Sequence, residues 1–274
     1  MPEMPEVETI RRTLCDKVTG QRIREVEMLL PRLVKWPIPH EFQAIVTHKT
    51  ITGLERRGKY LLFYLEDDYV MIVHLRMTGR LYYMLPGAEY DRFTRIIFHF
   101  DSGAALLYAD SRTLGTLYAL PVSELWRIAG LTSMGPEPLS PEFTLDYLRQ
   151  TLACRKGTIK ALLLNQALIG GLGNIYVDES LALAGINPQR IASSLDDGEV
   201  TKLYHAVNQV IDQGIRHGGT TFRDYRDGDG ASGSNQHHLN VYGRKNEPCK
   251  TCGTPIVKTE VAGRGTHYCP ACQH

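Results

Sequence analysis

Four cysteines near the C-terminus constrain how the last part of the chain can fold. They form two Cys-x-x-Cys pairs, Cys249 with Cys252 and Cys269 with Cys272, and sixteen residues separate the pairs. This spacing places two thiol-bearing turns opposite each other across a hairpin, as a tetrahedral four-thiolate metal site requires. Because the protein would fill all four ligand positions, we predict one structural zinc ion and no catalytic metal.

The remaining cysteines, Cys15 and Cys154, stand alone, and we interpret them as ordinary free thiols. No window of the sequence has the run of apolar residues that a membrane span needs, and the acidic start is unlike a basic signal peptide. We therefore expect a cytoplasmic protein without a membrane partner. Disulfides between the clustered cysteines are the competing interpretation, and a reducing cytoplasm disfavours them.

The hydrophobic period changes along the chain. Up to about residue 130, short β-rich runs such as "KYLLFYL" and "YVMIVHL" alternate with turns, which predicts a β-sandwich or barrel. A leading helix is predicted over "PEVETIRRTL", with Pro5 at its first position and Glu8 favouring its positive end. After the proline-rich stretch "GPEPLSPEF", at residues 135–143, the apolar spacing is helical, so the second domain is predicted to be helical.

The formal charge of +1 argues neither for nor against nucleic acid, so the distribution of charge matters more. The tail from Gly243 is basic, and Arg264 lies between two glycines that allow a close backbone approach. This arrangement favours a phosphate contact over a solvated loop arginine. Upstream, "GGLG" precedes Asn174, a predicted helix cap, and a helix N-terminus suits an anion. Lys156 and Lys160 add positive charge there.

The first residues, "MPEMPEVETI", have a chemical interpretation. Removal of Met1 would leave Pro2 as a secondary amine, and an α-amino pKa near 8 gives far more free base at pH 7 than a lysine has. Such an amine can attack a sugar C1′ and expel a base, and Glu3, which precedes the helix, is suited to the proton transfers. Lys59 in "LERRGKYLLF" opens an apolar strand; taken alone it is typical of a strand-edge gatekeeper.

A long segment, "GGTTFRDYRDGDGASGSNQ", contains mostly Gly, Asp, Ser and Thr between the last helix and the basic tail. It is too long for an ordinary connection, so it is either disordered or a functional lid, and we favour the lid.

Together these motifs resemble formamidopyrimidine-DNA glycosylases, the bacterial base-excision enzymes for oxidised purines. The resemblance covers the whole chain, including "MPEMPEVET", "RRGKYL", "HLRMTGR", "GLGNIYVDESL", "GGTTFRDY", "QHHLNVYGR" and "VAGRGTHYCPACQH". It implies an α+β multidomain fold with an N-terminal β-sandwich and leading helix (1–133), a linker (134–150), a helix-two-turn-helix domain (151–242) and a C-terminal zinc ribbon (243–274). DNA would bind in the cleft between these parts.

The resemblance also implies residue roles. Pro2 would be the Schiff-base nucleophile, Glu3 the acid that assists base loss and Lys59 the proton donor in β-elimination. Arg264 would serve δ-elimination and grip phosphate. The implied DNA contacts are Met77, Arg112 and Leu114 in the gap left by a flipped nucleotide, with Lys156, Lys160, Asn174, Tyr242 and Lys258 elsewhere. The lesion-capping loop, at about 217–237, would include Thr220, Thr221 and Tyr225.

Leu114 departs from the family pattern, in which the third inserted side chain is usually phenylalanine. Leucine still provides apolar bulk between bases but loses aromatic stacking. We therefore expect a difference in opposite-base discrimination or in the search along DNA.

The sequence thus predicts a monomeric bifunctional DNA glycosylase and abasic-site lyase that acts on double-stranded DNA containing oxidised purines or abasic sites. A relative of the endonuclease VIII type, specialised for oxidised pyrimidines, is the nearest alternative, and the start "PEMPEVE" with Met77 and Arg112 argues against it. A non-catalytic zinc-ribbon DNA-binding protein would leave Pro2, Glu3 and Lys59 unexplained. A tautomerase with an N-terminal proline would not explain the ribbon or the helices.

Overall fold

The computed structural model describes residues 2–274, so Met1, whose removal the nucleophile at Pro2 requires, lies outside the described residues. The chain divides into two compact units. The first contains the chain up to Thr132 and the segment His217–Gln236, and the second contains Ser133–Arg216 and His237–His274. The predicted lesion-capping loop therefore belongs to the first unit, whereas the predicted zinc ribbon shares the second unit with the helices.

The first unit consists of helix α1, two sheets and two shorter helices. Its elements are α1 Met4–Val18, β1 Ile23–Met28, β2 Val34–Trp36, α2 Pro39–Val46, β3 Ile51–Arg57, β4 Tyr60–Leu65, β5 Tyr69–His74, β6 Gly79–Met84, β7 Thr94–Phe100, β8 Ala105–Asp110, β9 Thr116–Pro121 and α3 Ala129–Thr132. One sheet has the strand order β1-β7-β8-β6, and the other has the order β2-β9-β5-β4-β3. Neighbouring strands are antiparallel except β2 and β9, which are parallel.

The main hydrophobic core lies between the two sheets and under α1. Val7, Ile10 and Leu14 form the predicted apolar stripe of α1, and all three are fully buried in a cluster that contains residues of both sheets. Because the strands form two separate sheets around a shared core, the β-sandwich prediction is confirmed and the barrel alternative is wrong.

Strands β4 and β5 are apolar on both faces because both faces are covered. Phe63 and Val73 point into the main core, whereas the neighbouring residues Leu62 and Ile72 belong to a second cluster that includes Ile128. The segment after β9 thus covers the outer face of this sheet. Burial of both faces accounts for the continuous apolar runs in the sequence, since a half-exposed strand would alternate.

The second unit contains the helices and the C-terminal hairpin. Its elements are α4 Leu145–Ala153, α5 Ile159–Leu163, α6 Asn174–Ala184, α7 Asp197–Arg216, β10 Val257–Val261 and β11 Arg264–Tyr268. Helix α6 packs against α7 on one side and contacts β11 as well. Helix α4 begins inside the range predicted as a linker, because the Thr144 hydroxyl caps it by accepting from the Tyr147 N–H at 3.0 Å, and Leu148 is buried.

Two turns connect α5 and α6, and Gln166 braces them. Its amide nitrogen donates to the carbonyl oxygens of Leu164 and Leu172, and its amide oxygen accepts from the Gly171 N–H at 3.0 Å. These bonds satisfy backbone groups that would otherwise lack partners where the helical pattern ends. Helix α5 is accordingly shorter than the apolar pattern "TIKALLLNQAL" predicts.

Within the described residues, no helix combines the length and apolar character that crossing a membrane demands.

The contact between α6 and α7 depends on Gly214. A Cβ atom added there would lie 2.5 Å from Cε1 of the fully buried Tyr176, so Gly214→Ala should lower stability by about 1–3 kcal/mol despite the better helix propensity of alanine. Gly198→Ala, in the exposed first turn of the same helix, is the matched control and should be neutral or slightly stabilising. Thermal unfolding of both variants tests this, and an unchanged melting temperature for Gly214→Ala would contradict it.

Candidate functional site

The predicted nucleophile and its neighbouring acid are held at the start of α1. Pro2 is buried, and Glu3 is only 2% exposed and forms the N-cap of the helix, which places Pro5 at the second helical position instead of the first. The fully buried Glu6 carboxylate accepts from the Glu3 N–H at 2.8 Å and from the Thr220 N–H at 2.6 Å. One side chain therefore connects the first residues of the chain to the predicted lesion-capping loop.

Glu8 fixes α1 against the sheet. Its carboxylate pairs with Arg11, Arg12 and Arg56, the last from β3 at 3.1 Å. Burial alone would raise the pKa of Glu8, but hydrogen bonds from Arg11 and Arg12 and the nearby positive charges lower it to about 2. The sequence suggested only that Glu8 supports the helix dipole. The structure shows that Glu8 is the centre of an ion cluster, and one member of it, Arg56, precedes Lys59 by three residues.

Lys59 lies in the turn between β3 and β4, where Gly58 has a φ of 56°, and the strand starts one residue later than predicted. On the neighbouring strand, His74 is paired with Tyr60, and the two rings are 4.4 Å apart. Burial, followed by the charges of Arg76 and Lys59, lowers the pKa of His74 to about 3.

The Arg76 N–H donates to Nδ1 of His74 at 3.2 Å, which fits a neutral ring with its proton on Nε2. Sequence reasoning missed His74. Its signal was a lone histidine that ends the otherwise apolar run "YVMIVH".

The structure brings the three predicted DNA-inserting residues to two neighbouring segments of the first unit. Met77 is 37% exposed and Leu114 is 46% exposed, and Arg112 is exposed as well. The Arg112 N–H donates to the Thr78 hydroxyl at 3.1 Å, so the two segments are in direct contact. An exposed apolar pair on adjacent turns is a suitable wedge for a base stack.

The predicted lesion-capping loop is anchored on α1. The Tyr225 ring lies in the main core, and its hydroxyl donates to the carbonyl oxygens of Gly218 and Glu6. Thr220 is buried, whereas the Thr221 hydroxyl accepts from the Gly233 N–H at 3.0 Å and so links the two sides of the loop. Tyr225 thus secures the base of the loop.

In the second unit, the structure corrects the prediction for Lys160. This lysine is fully buried, and its ammonium group donates to Asp178 Oδ1 at 2.6 Å and to the Gly265 carbonyl oxygen at 3.3 Å. An ammonium group enclosed by a carboxylate and a carbonyl cannot reach a phosphate. Lys156, in contrast, is exposed as a phosphate contact requires.

Asn174 is the first residue of α6, and Gly173, not Asn174, is the cap. The Asn174 side chain instead donates from Nδ2 to the Gly265 carbonyl oxygen at 2.8 Å. Gly265 follows Arg264, so the start of α6 and the tip of the C-terminal hairpin are joined directly. The predicted anion-binding helix end and the predicted phosphate-gripping arginine therefore lie in the same part of this unit.

The hairpin presents Arg264 on a tight turn. Ala262 and Gly263 have φ angles of 53° and 68°, as a two-residue turn with both central residues left-handed requires, and Arg264 is exposed beside them. Lys258 is exposed on β10 opposite His267, whose ring contacts Tyr242 with centroids 5.0 Å apart.

Two adjacent acids of α6, which sequence reasoning missed, organise these residues. Asp178 Oδ2 accepts from the His267 N–H at 2.8 Å and so holds β11. Glu179 accepts from the backbone N–H groups of Asn240, Val241 and Tyr242 at 2.6–2.9 Å. In the sequence "NIYVDESL" they look like ordinary surface charges, and only their burial, 1% and 2% exposed, reveals their role.

The four C-terminal cysteines form a metal-binding cluster. Their sulfur atoms all lie within 4.8 Å of one another, with Cys249 and Cys272 4.0 Å apart and Cys252 and Cys269 3.5 Å apart. Tetrahedral zinc with Zn–S bonds of about 2.3 Å would separate its sulfurs by about 3.8 Å, so the ligand set fits. Cys15 and Cys154 are free thiols, as predicted.

Three family models match successive parts of the chain. The formamidopyrimidine-DNA glycosylase N-terminal domain matches residues 1–117, and its helix-two-turn-helix domain matches residues 134–226. The zinc finger found in FPG and IleRS, the formamidopyrimidine glycosylase and an aminoacyl-tRNA synthetase, matches residues 246–274. With the cysteine cluster, this last match establishes one structural zinc site.

Curated relatives are similar over the full chain. A formamidopyrimidine-DNA glycosylase of Symbiobacterium thermophilum is 50% identical, covering 100% of this chain and 89% of the relative. The enzyme of the same name from Geobacillus kaustophilus is 47% identical over 100% of both chains.

Solved structures are similar over the full chain as well. One of them, a point mutant of the Lactococcus lactis FPG in complex with DNA containing Fapy-dG, is 38% identical with a TM-score of 0.94 over 100% of both chains. Another, the Lactococcus lactis Fpg with DNA containing an abasic site, has 38% identity, a TM-score of 0.93 and the same coverage.

The purified protein should contain about one zinc ion per chain, measured by elemental mass spectrometry. Cys252→Ser should lose the metal and lower the melting temperature, because zinc coordination stabilises a hairpin with little core of its own. Cys154→Ser changes an exposed thiol outside the cluster and should leave both values unchanged. Full zinc content in Cys252→Ser would contradict the site.

His74 should remain neutral well below the usual range of histidine. Its folded pKa of about 3 lies below the unfolded value of about 6.5, so the stability that depends on the neutral ring is complete above pH 6.5 and is lost as pH falls towards 3. NMR of the imidazole protons should show no titration between pH 8 and 5, and His74→Gln should flatten the corresponding fall in stability. A midpoint within about one pH unit of 6.5 would contradict this.

Proposed function

Because the chain belongs to the formamidopyrimidine-DNA glycosylase family, a family of DNA repair glycosylases, we propose that it removes oxidised purines from double-stranded DNA and then cleaves the abasic site. The lesions would be 8-oxoguanine and ring-opened formamidopyrimidines. The solved relatives from Lactococcus lactis hold DNA with Fapy-dG or an abasic site, which supports the same class of partner for this chain.

The placement of Pro2 and Glu3 carries the proposal. Both residues are buried, and the Glu6 carboxylate holds the backbone between them and the helix by accepting from the Glu3 N–H. The first residues of a chain are usually frayed, whereas Pro2 and Glu3 are buried at the start of α1. An α-amino group, whose ordinary pKa is near 8, supplies a nucleophile at neutral pH, and Pro2 carries such a group once Met1 has been removed.

The proposed reaction begins when the Pro2 nitrogen attacks C1′ of the damaged nucleotide. The bond between C1′ and the base breaks, the base leaves with the bonding electrons, and the Glu3 carboxyl group supplies a proton for its departure. The first product is an aminal, in which C1′ carries both the Pro2 nitrogen and the ring oxygen O4′. The nitrogen then releases its proton and O4′ takes one up as the C1′–O4′ bond breaks, which leaves the opened sugar as an iminium between Pro2 and C1′. Its positive charge acidifies the C2′ proton, and loss of that proton expels the 3′ phosphate by β-elimination.

Lys59 and Arg264 would serve the later steps. Lys59 would transfer a proton in β-elimination. The Glu8–Arg56 ion pair secures α1 to β3, and the turn that carries Lys59 begins just after Arg56, so Lys59 is tied to the helix that follows Pro2. Arg264 is exposed at the tip of the hairpin, where a guanidinium can grip the phosphate that leaves in δ-elimination.

DNA binding would use residues of both units. In the second unit, the exposed contacts are Arg264 and Lys258 on the hairpin and Lys156 upstream of α5. In the first unit, Met77, Arg112 and Leu114 would fill the gap left by the flipped nucleotide. Since leucine at position 114 provides bulk without an aromatic face, the contact with the base opposite the lesion should be weaker than a phenylalanine would make.

The loop anchored by Tyr225 would cap the everted base. Its main-chain donors would set lesion preference, as in enzymes that read a flipped base by hydrogen bonds and shape.

Borohydride trapping on duplex DNA containing 8-oxoguanine tests the proposal. The reduced adduct should map to the nitrogen of Pro2 by peptide mass spectrometry, and Pro2→Gly should lower trapping by about a hundredfold, because the fixed secondary amine is lost. The control Pro86→Gly, on an exposed turn of the first unit, should trap like the unmodified protein. An adduct on Lys59 or on another lysine would overturn the assignment of Pro2.

A further inference from the structure

Asp110, the last residue of β8, is fully buried and accepts an unusual number of hydrogen bonds. Oδ1 accepts from the Thr78 hydroxyl at 2.5 Å and from the Arg112 N–H at 3.2 Å. Oδ2 accepts from the N–H groups of Leu114 and Gly115, both at 2.9 Å. A carboxylate so enclosed is held rigidly, and so are its donors.

These donors come from two segments that are far apart in sequence. Thr78 follows Met77 in the turn between β5 and β6, which the Gly79 N–H closes on the Leu75 carbonyl oxygen. The other donors are the N–H groups of Arg112, Leu114 and Gly115 in the turn after β8. One carboxylate thus joins the segments that carry all three predicted DNA-inserting side chains.

Tyr108 provides a further hydrogen-bond donor to Asp110. Its hydroxyl donates to Asp110 Oδ2 at 3.2 Å, and burial raises its pKa, so it remains a donor at any physiological pH. A Cβ atom at Gly115 would lie 1.6 Å from this hydroxyl, and one at Gly79 would lie 2.7 Å from it. Both turns therefore pass closely over the same hydroxyl, which only glycine permits.

Each turn also contains a strained residue. Arg76 has a φ of 55° and Thr113 a φ of 52°, and a β-branched residue rarely adopts the left-handed region. Such backbone persists where its surroundings fix it. Here the hydrogen bonds to Asp110 fix the residues on either side of Thr113.

We propose that Asp110 is the positioning residue for DNA insertion: it sets the relative placement of Met77 and of Arg112 with Leu114, so that they enter the base stack as one rigid wedge. The inference rests on the proposed function and adds to it a residue that acts only through these side chains. Asp110 itself is fully buried, so its carboxylate is not accessible to a sugar or a base.

Two substitutions test the proposal. Thr78→Val removes the hydroxyl that joins the first turn to Asp110 and keeps the side-chain shape. Asp110→Asn replaces one carboxylate oxygen with an amide donor, which cannot accept from the facing N–H groups. The matched control is Thr94→Val, also buried in this unit, since the Thr94 hydroxyl has no hydrogen-bond partner among the described residues.

Two substrates separate positioning from chemistry. Excision of 8-oxoguanine from duplex DNA needs insertion, whereas borohydride trapping on a single strand with a preformed abasic site needs only the amine. Thr78→Val and Asp110→Asn should slow duplex excision in single turnovers by about tenfold or more, as the loss of a charged hydrogen bond predicts. Their trapping on the single strand should stay within about twofold of the unmodified protein, and Thr94→Val should change neither rate.

In a chain that already carries Met77→Ala, Arg112→Ala and Leu114→Ala, Thr78→Val should cause no further loss of duplex excision, because none of the three positioned side chains remains. Equal losses on both substrates, no loss on the duplex, or a full additional loss in the wedge-free chain would each overturn the proposal. If Asp110→Asn does not fold, Thr78→Val alone decides. Failure of the proposed function would look different, because the unmodified protein itself would then neither trap nor cleave.

Discussion

A carboxylate that is removed from water must be surrounded by hydrogen-bond donors, and four buried carboxylates meet this requirement largely with backbone N–H groups. Three of them bind irregular segments, and the fourth binds the hairpin strand β11. Their exposed fractions are between 0 and 2%. Glu6 holds Glu3 and Thr220, Asp110 holds the two insertion turns, Asp178 holds β11, and Glu179 holds residues 240–242. The first residues, the two insertion turns and residues 240–242 lie outside the sheets and longer helices, so they lack the ladders that fix regular structure. Removing one such acid would leave several buried donors unsatisfied, at about 1–3 kcal/mol each.

The same arrangement explains why the proposed site residues can be exposed and still be well placed. Met77, Leu114 and Arg264 face outward and receive little packing, yet each lies within two residues of a group bound by a buried carboxylate or by Asn174. Placement therefore comes from the backbone, and the side chains remain available for DNA. A site built in this way tolerates replacement of an exposed side chain, such as Phe by Leu at position 114, better than replacement of an acid beneath it.

Much of the fold could be predicted because its signals are local. The change from β-rich runs to helical spacing located the two kinds of structure, and the cysteine spacing predicted the zinc hairpin. The partners of charged residues could not be predicted, because a sequence shows a charge without showing what it faces. Glu8 looked like support for a helix dipole and is the centre of an ion cluster, while His74 looked like part of an apolar strand and lies beside Lys59. The predicted lesion-capping loop was assigned to the helical domain, yet Tyr225 packs this segment into the first unit.

Lys160 shows that the positions of basic residues in a sequence do not by themselves locate a DNA-binding surface. It stands in a basic stretch before a glycine turn, where a phosphate contact is a natural interpretation, but Asp178 needs a cation once β11 has covered it. An internal ion pair adds nothing to the field that phosphates meet, because its two charges cancel at short range. Among the predicted phosphate contacts, Lys156, Lys258 and Arg264 of the second unit are exposed. A chain whose formal charge is only +1 can therefore present a basic surface, because part of its acidic content is used inside the protein to hold backbone.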